Sequence, residues 1–377
     1  MGEYYEFFAG GGMARAGLGS TWSCRFANDF DPKKAASYAA NWRTEHLIID
    51  DVAKITLADL TGKVDLAWAS FPCQDLSLAG SRAGLQGNRS GTFWPFWRLM
   101  QRLAAVRRAP SMIVLENVCG LITSSGGKDF TELARAIAEL DYQFGAVVID
   151  AVHFVPQSRP RLFVIAVANG VNLPEGISRS DPGALWHPRA LVEAKFNLPK
   201  QAQEKWKWWD IPAPLVRAKV FADLIEKNPT GVRWNTHAET QALLDMMSPV
   251  NREKVHSAQL SGELRIGALY RRTRNGVQRA EVRFDDVAGC LRTPGGGSSR
   301  QSILIVEGQR VRSRLLSPRE IARLMGLPDD YVLPENYNEA YHLIGDGLVV
   351  PVISHIAEHV LNPIVRVNHT QFQAVAA

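Results

Sequence analysis

The residues best suited to covalent chemistry in this sequence are a cysteine and a glutamate that each follow an apolar run. Cys73 stands in Phe71-Pro72-Cys73-Gln74, shortly after the apolar segment Leu66 to Ala69. A thiolate is a strong nucleophile, and Pro72 fixes the backbone just before it. The other cysteines lack this context and are interpreted as buried apolar residues: Cys24, Cys119 and Cys290. Cys73 is therefore the candidate nucleophile.

Glu116 is the candidate proton donor. It opens Glu116-Asn117-Val118, directly after the apolar run Met112 to Leu115. If both apolar runs are parallel strands, their carboxyl ends lie at one edge of a sheet and bring Glu116 to the same edge as Cys73. A carboxyl group held among apolar neighbours has a raised pKa and can donate a proton near neutral pH. A helix-capping or salt-bridged glutamate is the alternative interpretation.

Two further motifs suit the binding of anionic or nucleoside groups. Arg159 and Arg161, in Gln157-Ser158-Arg159-Pro160-Arg161, can act as fixed cationic donors, although arginines in a hairpin turn are usually solvated. Phe8-Ala9-Gly10-Gly11-Gly12 lies where a first strand would turn into a helix, and Asp29 follows about twenty residues later. Together the glycine loop and Asp29 predict a nucleoside-containing cofactor without saying which. A plain glycine-rich turn and a helix-capping Asp are the alternative.

An α/β sheet with helices on both faces must position these residues, because the first 170 residues alternate short apolar runs with longer amphipathic ones. The predicted strands are Tyr4 to Phe8, Ser23 to Asn28, Leu47 to Ile49, Leu66 to Ala69, Met112 to Leu115, Ala146 to Asp150 and Leu162 to Val167. The predicted helices span about 11–18, 32–43, 93–106 and 129–140. The last two strands are too close for a crossover helix, which predicts an antiparallel hairpin at the sheet edge.

The second half of the chain has a different pattern. A Pro-rich and Trp-rich stretch at about 171–215 predicts a domain boundary. Asn275-Gly276 predicts a hairpin turn, because both central positions of a type I′ turn need positive φ. The further predicted elements are strands at Arg265 to Arg274, Val277 to Phe284 and Ile303 to Val306, a helix capped by Ser317 with Glu320, and a last helix near Pro351.

Composition narrows the class of protein. The chain has 377 residues, of which 46% are hydrophobic and 21% charged, as in an ordinary globular protein, and no stretch is expected to span a bilayer. The scattered cysteines predict no zinc site and no other metal site. The N-terminus lacks the basic region of a secretory signal, so we expect a cytoplasmic protein. Residues 251–325 hold 15 Lys or Arg against 7 Asp or Glu, which fits a polyanionic partner.

In combination, the motifs closely resemble those of the DNA cytosine C5-methyltransferase family of bacterial or phage type, in that family's order. The matching segments are Phe8 to Gly12, Phe71-Pro72-Cys73-Gln74, Glu116-Asn117-Val118, Gln157-x-Arg159-x-Arg161, and Arg314-Leu315-x-Ser317-Pro318-Arg319-Glu320 with Gly326-Leu327-Pro328. The resemblance implies methyl transfer from S-adenosylmethionine to carbon 5 of a flipped cytosine in a specific sequence of double-stranded DNA. It also places the chain among restriction-modification enzymes.

The resemblance implies a role for each matching residue. Cys73 would add to carbon 6 of cytosine, Glu116 would act at N3 and the exocyclic amine, and Arg161, with Arg159 beside it, would neutralise the O2 side. The implied cofactor-binding residues are Phe8, Gly10, Gly12, Asp29, Phe30, Asp51, Pro72 and Asp346. The expected nucleic-acid contacts are Gln74, Ser77, Arg89, Arg271, Arg272, Arg274, Arg283, Arg292 and Arg300. The Gly-rich loop after Cys73 would close over the flipped base.

The implied fold is a Rossmann-like mixed sheet with an antiparallel edge hairpin, together with a smaller, mostly β target-recognition domain. The predicted domains are a catalytic cofactor-binding domain at 1–172, the target-recognition domain at 173–325, and a segment at 326–377 that returns to the catalytic domain. We expect a monomer. One departure from the family is Gly345-Asp346-Gly347, where the family usually has Gly-Asn; we expect activity to be retained.

Three alternatives remain open from the sequence. A relative with the same catalytic domain could methylate cytosine in RNA, although the long recognition region favours duplex DNA. A non-catalytic DNA-binding regulator could use a decayed methyltransferase scaffold, but Cys73 and Glu116 are retained. A nicotinamide-dependent dehydrogenase would share the glycine-rich turn, but it gives no reason for Phe-Pro-Cys beside Glu-Asn-Val.

Overall fold

The structure, a computed structural model, describes residues 1–72, 92–274, 276–293 and 299–376. Two compact units are present. The first unit comprises Met1–Ile149, Pro160–Pro214 and Val352–Ala377, and the second comprises Asp150–Arg159 and Leu215–Pro351. The predicted domains 1–172, 173–325 and 326–377 stay a prediction, and the compact units divide the chain at other residues.

The first unit is built on a seven-stranded sheet in the order β3-β2-β1-β4-β5-β7-β6. Its strands are β1 (Gly2–Phe7), β2 (Trp22–Asp29), β3 (Leu47–Ile49), β4 (Leu66–Ala69), β5 (Met112–Val118), β6 (Tyr142–Asp150) and β7 (Pro160–Ala168). Strands β1 to β5 pair in parallel with their neighbours, whereas β7 runs antiparallel to β5. The short strands β8 (Ser178–Arg179) and β9 (Trp208–Trp209) form a separate antiparallel pair.

Helices of the first unit lie between these strands along the chain. They are α1 (Met13–Leu18), α2 (Pro32–Asn41), α3 (Phe93–Ala105), α4 (Lys128–Glu139), α5 (Arg189–Phe196) and α6 (Lys200–Glu204). Helix α2 begins where Asp31 accepts the Lys33 amide and Pro32 occupies the first turn. Helix α3 buries an aromatic face that includes Phe93, Phe96 and Trp97. Strand β4 is buried along its whole length, as is usual for a central parallel strand.

The second unit contains a four-stranded antiparallel sheet in the order β11-β10-β12-β13. Its strands are β10 (Leu264–Arg274), β11 (Val277–Arg283), β12 (Ser302–Glu307) and β13 (Arg310–Leu315). One face packs on α7 (His237–Asp245) and α8 (Pro249–Leu260), through a core that includes Leu269, Val282 and Leu304. The helices α9 (Pro318–Arg323) and α10 (Tyr337–Gly345) follow in this unit. The later helices are α11 (Val350–Ile356), the π-helical Ala357–Leu361 and α12 (Asn362–Ala376), and from Val352 onwards they belong to the first unit.

Most of the predicted elements are confirmed. All seven predicted strands of the first unit are present, and the edge order places β7 and β6 side by side. The predicted capping box is present, since Ser317 Oγ accepts the Glu320 amide at 3.1 Å and Glu320 Oε2 accepts the Ser317 amide at 2.7 Å. The fold class is the expected mixed α/β sheet with a second antiparallel sheet, although helices were not predicted at 189–204, 237–260 or 337–345.

We expected no stretch with the apolar length needed to span a bilayer. Judged by length and composition only, this expectation is wrong. Residues Tyr337–Thr370 meet both criteria, with a mean hydropathy of 1.5. In the tested window, 61% is buried inside the protein, as is usual for helices of a hydrophobic core.

Candidate functional site

The predicted site residues of the first unit lie in a row along the carboxyl edge of the parallel strands. Register pairs Asp29 with Ile49, Phe7 with Asn28 and with Ala69, and Ala69 with Leu115. The strands β3, β2, β1, β4 and β5 therefore end side by side. Asp51, Phe30, Phe8 and Pro72 follow β3, β2, β1 and β4 in that order, and Glu116 lies within β5, directly after the Leu115 that pairs with Ala69. This edge is where α/β sheets bind ligands.

The glycine loop turns sharply between β1 and α1. Phe8 has φ 59°, Gly10 φ 55° and Gly12 φ 76°, so the backbone is left-handed at three nearby positions. The Gly10 amide donates to Asp29 Oδ2 at 2.8 Å, and the Asp31 amide donates to the other carboxylate oxygen at 2.9 Å. The carboxylate of Asp29 is thus fixed against the loop by two backbone donors.

Position 12 requires glycine for two reasons: its φ is positive, and the Trp42 side chain packs against it. The indole Nε1 of Trp42 donates to the Gly11 carbonyl at 3.0 Å, which presses the indole ring against Gly12. A Cβ at position 12 would overlap Nε1 of Trp42 and lie 2.7 Å from its Cδ1. At Gly10, by contrast, a Cβ would meet nothing within 4 Å. The loop is therefore packed on one side and open on the other.

Acidic and aromatic side chains follow β2 and β3. Burial raises the pKa of Asp29, despite the amide hydrogen bonds that lower it. Phe30 is 67% exposed, whereas the last four residues of β2 before it are buried. Asn28 ties the two strand ends together, because its Nδ2 donates to the carbonyls of Ile48 at 3.1 Å and Asp50 at 2.8 Å. Asp51 is exposed and accepts the Ala53 amide at 2.8 Å.

Glu116 and Arg161 lie on the adjacent strands β5 and β7. Register pairs Val118 with Arg161, and Arg161 Nε lies 3.3 Å from Glu116 Oε1. The two side chains are only 11% and 17% exposed, for Glu116 and Arg161 respectively. The structure thus brings together the predicted proton donor and one predicted cation. The raised pKa expected for Glu116 stays a prediction.

The predicted nucleophile Cys73 lies outside the described residues, as do Gln74, Ser77 and Arg89. The backbone leading to it is fixed by Asn117, whose Nδ2 donates to the Phe71 carbonyl at 3.2 Å. The Phe71 ring contacts the Phe93 ring of α3, with centroids 5.4 Å apart, and both residues are buried. Phe71 precedes the segment 73–91 and Phe93 follows it, so this ring contact lies beside both ends of the segment. It is at the same edge of the sheet as Glu116.

Arg159 belongs to the second unit and differs from Arg161 in its surroundings. It is 3% exposed, and its guanidinium donates to three carbonyls: Leu291 at 2.6 Å, Gly345 at 3.0 Å and Gly347 at 2.8 Å. Asp346 lies inside the same clamp, at the end of α10, and accepts a hydrogen bond from Thr293 Oγ1. Arg159 therefore holds the Gly345-Asp346-Gly347 turn against the chain before Thr293, which is a positioning role.

The six arginines of the second unit predicted to contact nucleic acid have different surroundings. Arg283 is paired with Asp285 at 2.7 Å, and Arg300 packs over the Tyr337 ring and donates to Asn338. Arg271 and Arg272 are exposed on β10, Arg274 ends that strand, and Arg292 is exposed.

Sequence reasoning missed a buried polar cluster beneath the glycine loop. Arg15 Nη1 lies 2.9 Å from Tyr38 Oη and 2.8 Å from His46 Nε2. Burial raises the pKa of Glu6 from 4.5 to about 8, and its Oε2 has no hydrogen-bond partner among the described residues. The signal was available, since Glu6 is an acid in the middle of an apolar strand. Within the described ranges, no group of three or more His, Cys, Asp or Glu is placed to hold a metal.

Comparisons with known proteins agree along nearly the whole chain. The family described as C-5 cytosine-specific DNA methylase matches residues 3–362. Type II methyltransferase M.Bsp6I of Bacillus sp. (strain RFL6) is 26% identical, over 96% of this chain and 98% of that protein. Type II methyltransferase M1.ScrFI of Lactococcus lactis subsp. cremoris is 25% identical, over 94% and 77%. The crystal structure of S. pombe Dnmt2 methyltransferase has the same fold, with a TM-score of 0.59 at 16% identity, covering 97% of this chain and 99% of that one.

Proposed function

Because the chain belongs to the C-5 cytosine-specific DNA methylase family, we propose that it methylates carbon 5 of a cytosine flipped out of a specific sequence in double-stranded DNA, with Cys73 as the nucleophile. The observation that carries the proposal is how residues are arranged at the carboxyl edge of the parallel strands. Glu116 and Arg161 pair there, and Asn117 anchors the backbone that leads to Cys73.

The carboxyl edge of the first unit fits S-adenosylmethionine. An exposed Phe30 ring and the Phe8 ring suit a flat purine, the anchored Asp29 carboxylate suits the ribose hydroxyls, and exposed Asp51 suits an exocyclic amine. Gly10 leaves open space for close approach to the backbone. When bound, S-adenosylmethionine supplies an electrophilic methyl group. Pro72 stays a proposed contact of the same site, and Asp346 stays a proposed contact from the second unit.

The residues of the chain have separate tasks in the proposed reaction. Carbon 5 of cytosine is a poor nucleophile, so the Cys73 thiolate first adds to carbon 6 and makes the ring enamine-like. Glu116 holds a proton at N3, and the Arg161 guanidinium neutralises the O2 side as charge accumulates on the ring. After methylation, the proton leaves carbon 5 and the Cys73 sulfur is expelled, which restores the aromatic ring.

Arg159 is not assigned to the O2 side in this proposal, because its guanidinium donors are directed to carbonyls of the second unit. The thiolate cannot reach carbon 6 in stacked DNA, so the base must leave the helix. Gln74, Ser77 and Arg89 stay proposed DNA contacts, because they lie in the segment that follows Cys73 in the sequence. We further propose a cytoplasmic monomer that needs no metal and no membrane and serves in a restriction-modification system, in keeping with relatives named Type II methyltransferases.

The test is transfer from tritiated S-adenosylmethionine to duplex DNA and to RNA, followed by bisulfite sequencing of the DNA. We expect label in DNA only, at cytosines of one recurring sequence, and none with Cys73→Ala. DNA that carries 5-fluorocytosine should form a covalent adduct with the native chain, because fluorine blocks the final elimination. Label confined to RNA, or normal turnover by Cys73→Ala, would overturn the proposal.

A further inference from the structure

The peptide group between Gly11 and Gly12 in the glycine loop is hydrogen-bonded at both ends. The Gly12 amide donates to the Ala9 carbonyl at 2.8 Å, and the Gly11 carbonyl accepts the indole Nε1 of Trp42 at 3.0 Å. Because a peptide group is planar, two bonds that point in opposite directions fix the orientation of the whole group. Both glycines are buried. The turn between β1 and α1 is therefore held in part by a side chain from outside the loop, since Trp42 follows α2.

Arg15, in helix α1, holds the Trp42 ring in place. Its guanidinium carbon lies 5.1 Å from the centre of the Trp42 ring and 5.8 Å from the centre of the Tyr38 ring, so both rings attract the cation. Arg15 Nη1 also lies 2.9 Å from Tyr38 Oη and 2.8 Å from His46 Nε2. The guanidinium is therefore fixed by two polar partners, and the indole that packs on it has a defined position.

His46 connects this cluster to the sheet. A guanidinium can only donate hydrogen bonds, so His46 Nε2 accepts from Arg15 and carries no proton. Burial and, after it, the charge of Arg15 lower the pKa of His46, which keeps the ring neutral near pH 7. The backbone of His46 is attached to β2, because its carbonyl accepts the Ala27 amide at 2.8 Å. The cluster thus ties the start of α1 to the strands beside it.

A loop with three successive glycines needs such support. Glycine allows the backbone a wide range of conformations, and a loop that samples them binds its ligand more weakly, in proportion to the fraction that has the binding conformation. The loop carries Phe8 and the open backbone at Gly10, both proposed to meet the cofactor, and the Gly10 amide fixes the Asp29 carboxylate. Trp42 supports the loop at its packed side, at Gly11 and Gly12, and leaves Gly10 accessible.

From this geometry we propose that Trp42 and Arg15 are positioning residues for the S-adenosylmethionine site, which hold the glycine loop in its binding conformation before the cofactor arrives. The inference rests on the proposed function, because S-adenosylmethionine is taken as the ligand of the loop. Neither side chain is assigned a contact with the cofactor. Loss of either side chain should therefore weaken cofactor binding and leave methyl transfer at saturating cofactor almost unchanged.

The first test measures the Kd of tritiated S-adenosylmethionine for the full chain without DNA, by equilibrium dialysis. Trp42→Phe removes the indole N–H and keeps an aromatic ring, so Kd should rise about tenfold, the loss of one hydrogen bond of ordinary strength. Trp22→Phe is the matched control, because Trp22 is buried at the other end of β2 from Asp29 and its Nε1 donates to Asn362 Oδ1 at 2.8 Å. This control should bind the cofactor like the native chain. A native Kd in Trp42→Phe would overturn the proposal.

The second test asks whether Arg15 acts through the same loop. Arg15→Met removes the guanidinium and should also raise Kd, whereas Arg15→Lys keeps a cation beside the two rings and should recover part of the affinity. Arg25→Met, which removes an exposed partner of Glu3 on β2, is the control and should leave Kd unchanged. Turnover of the variants at saturating cofactor should stay within about twofold of the native value. A native Kd in Arg15→Met would remove Arg15 from the positioning role.

A third measurement needs no cofactor. Hydrogen exchange of the Gly12 amide, which reports local opening of the loop, should be faster in Trp42→Phe than in the native chain and unchanged in Trp22→Phe. Native exchange in Trp42→Phe would show that the indole does not hold the loop. If the chain binds S-adenosylmethionine and Trp42→Phe weakens that binding, but no cytosine is methylated, the proposed function fails and the positioning role stands. If cytosine is methylated and the variants bind the cofactor like the native chain, only the positioning role fails.

Discussion

Arg161 Nε lies 3.3 Å from Glu116 Oε1, and the two side chains are mostly buried on adjacent strands of the first unit. In the proposed reaction these side chains act on neighbouring positions of one cytosine, Glu116 at N3 and Arg161 at O2. The pair therefore keeps both groups in place before the base arrives. A guanidinium so close favours the carboxylate form of its partner, so we expect Arg161 to turn towards the cytosine O2 when the base enters and Glu116 to take up its proton.

Glu116→Gln should lower methyl transfer by about 10²–10⁴-fold, because the amide keeps the shape of the side chain but cannot supply a proton. Binding of DNA should change little. The measurement is single-turnover transfer with saturating DNA. Glu3→Gln is the matched control, since Glu3 pairs with Arg25 near the start of β1, and it should transfer at the native rate. A Glu116→Gln rate near the native one would remove the acid from the mechanism.

Asn117→Ala should weaken both stability and activity. It removes the donor to the Phe71 carbonyl in a buried setting, so the free energy of unfolding should fall by about 1–3 kcal/mol. Methyl transfer should fall even at temperatures where the variant is fully folded, because the backbone before Cys73 loses its anchor. Denaturant unfolding and single-turnover assays measure the two effects separately. Native transfer by the folded variant would reduce Asn117 to a purely structural residue.

Glu6 should make the stability of the native chain fall as pH rises. Burial raises its pKa to about 8 in the folded chain, against 4.5 ordinarily, and Arg15 opposes that shift. The folded state then binds the extra proton between these values, so the stabilisation is complete below pH 4.5 and is lost as pH rises through 8. The charge of Asp29 also raises the pKa of Glu6. In turn, besides their burial, the charge of Glu6 raises the pKa values of three neighbours, Tyr4, Cys24 and Tyr38.

Glu6→Gln should flatten this dependence. Melting temperatures of the native chain and the variant at pH 6 and pH 9 give the comparison, and the advantage of the variant should be greater at pH 9. Burial raises the pKa of Cys24 from 9.0 to about 12, so this thiol makes stability fall with pH only from about pH 9 upwards, and it is present in both the native chain and the variant. Equal slopes for the two proteins would show that the acid does not titrate in this range.

Gly12→Ala should destabilise the first unit more than Gly10→Ala. Both positions have positive φ, which costs a residue with a side chain about 1–2 kcal/mol. Only at position 12 would the added methyl group also meet the Trp42 ring, so the indole must shift and lose its bond to the Gly11 carbonyl. Chemical denaturation of both variants tests this. Equal losses in the free energy of unfolding would show that the Trp42 ring moves aside without destabilising the fold.

Asp346→Asn should leave turnover within about threefold of the native value. An amide oxygen can still accept the Thr293 hydroxyl, and Arg159 continues to hold the turn through the flanking carbonyls. Steady-state methylation at saturating and at limiting S-adenosylmethionine measures both turnover and cofactor affinity. A rise of orders of magnitude in turnover would show that the carboxylate impairs the native enzyme.

The sheet of the first unit was predictable because its strands are short apolar runs between amphipathic helices. Contacts between residues distant in sequence were not predictable. Arg159 and Arg161 are two residues apart, but Arg159 precedes β7 and donates to carbonyls more than a hundred residues later in the chain. Its motif alone contains no sign of those partners.

The Trp-rich stretch was interpreted as a boundary because its periodicity dissolves. In the structure Trp206 packs on Phe130 and Phe144, and Trp209 Nε1 donates to the Ile165 carbonyl at 3.2 Å. Its aromatic composition was the better signal, since such large rings are usually buried. Arg283, also expected to contact DNA, binds the carboxylate of Asp285, two residues later, and its DNA contact stays a prediction.

The contact between Phe71 and Phe93 also bears on how this fold tolerates change in length. Bringing two distant chain positions together costs conformational entropy. The packing of the Phe71 and Phe93 rings in the hydrophobic core offsets that cost. Doubling the number of residues between them would then cost only about 0.6 kcal/mol more. Changes in the number of residues between Cys73 and Thr92 should therefore cost the sheet little stability, whereas an insertion between Pro72 and Cys73 would separate the proposed nucleophile from the backbone that Asn117 anchors.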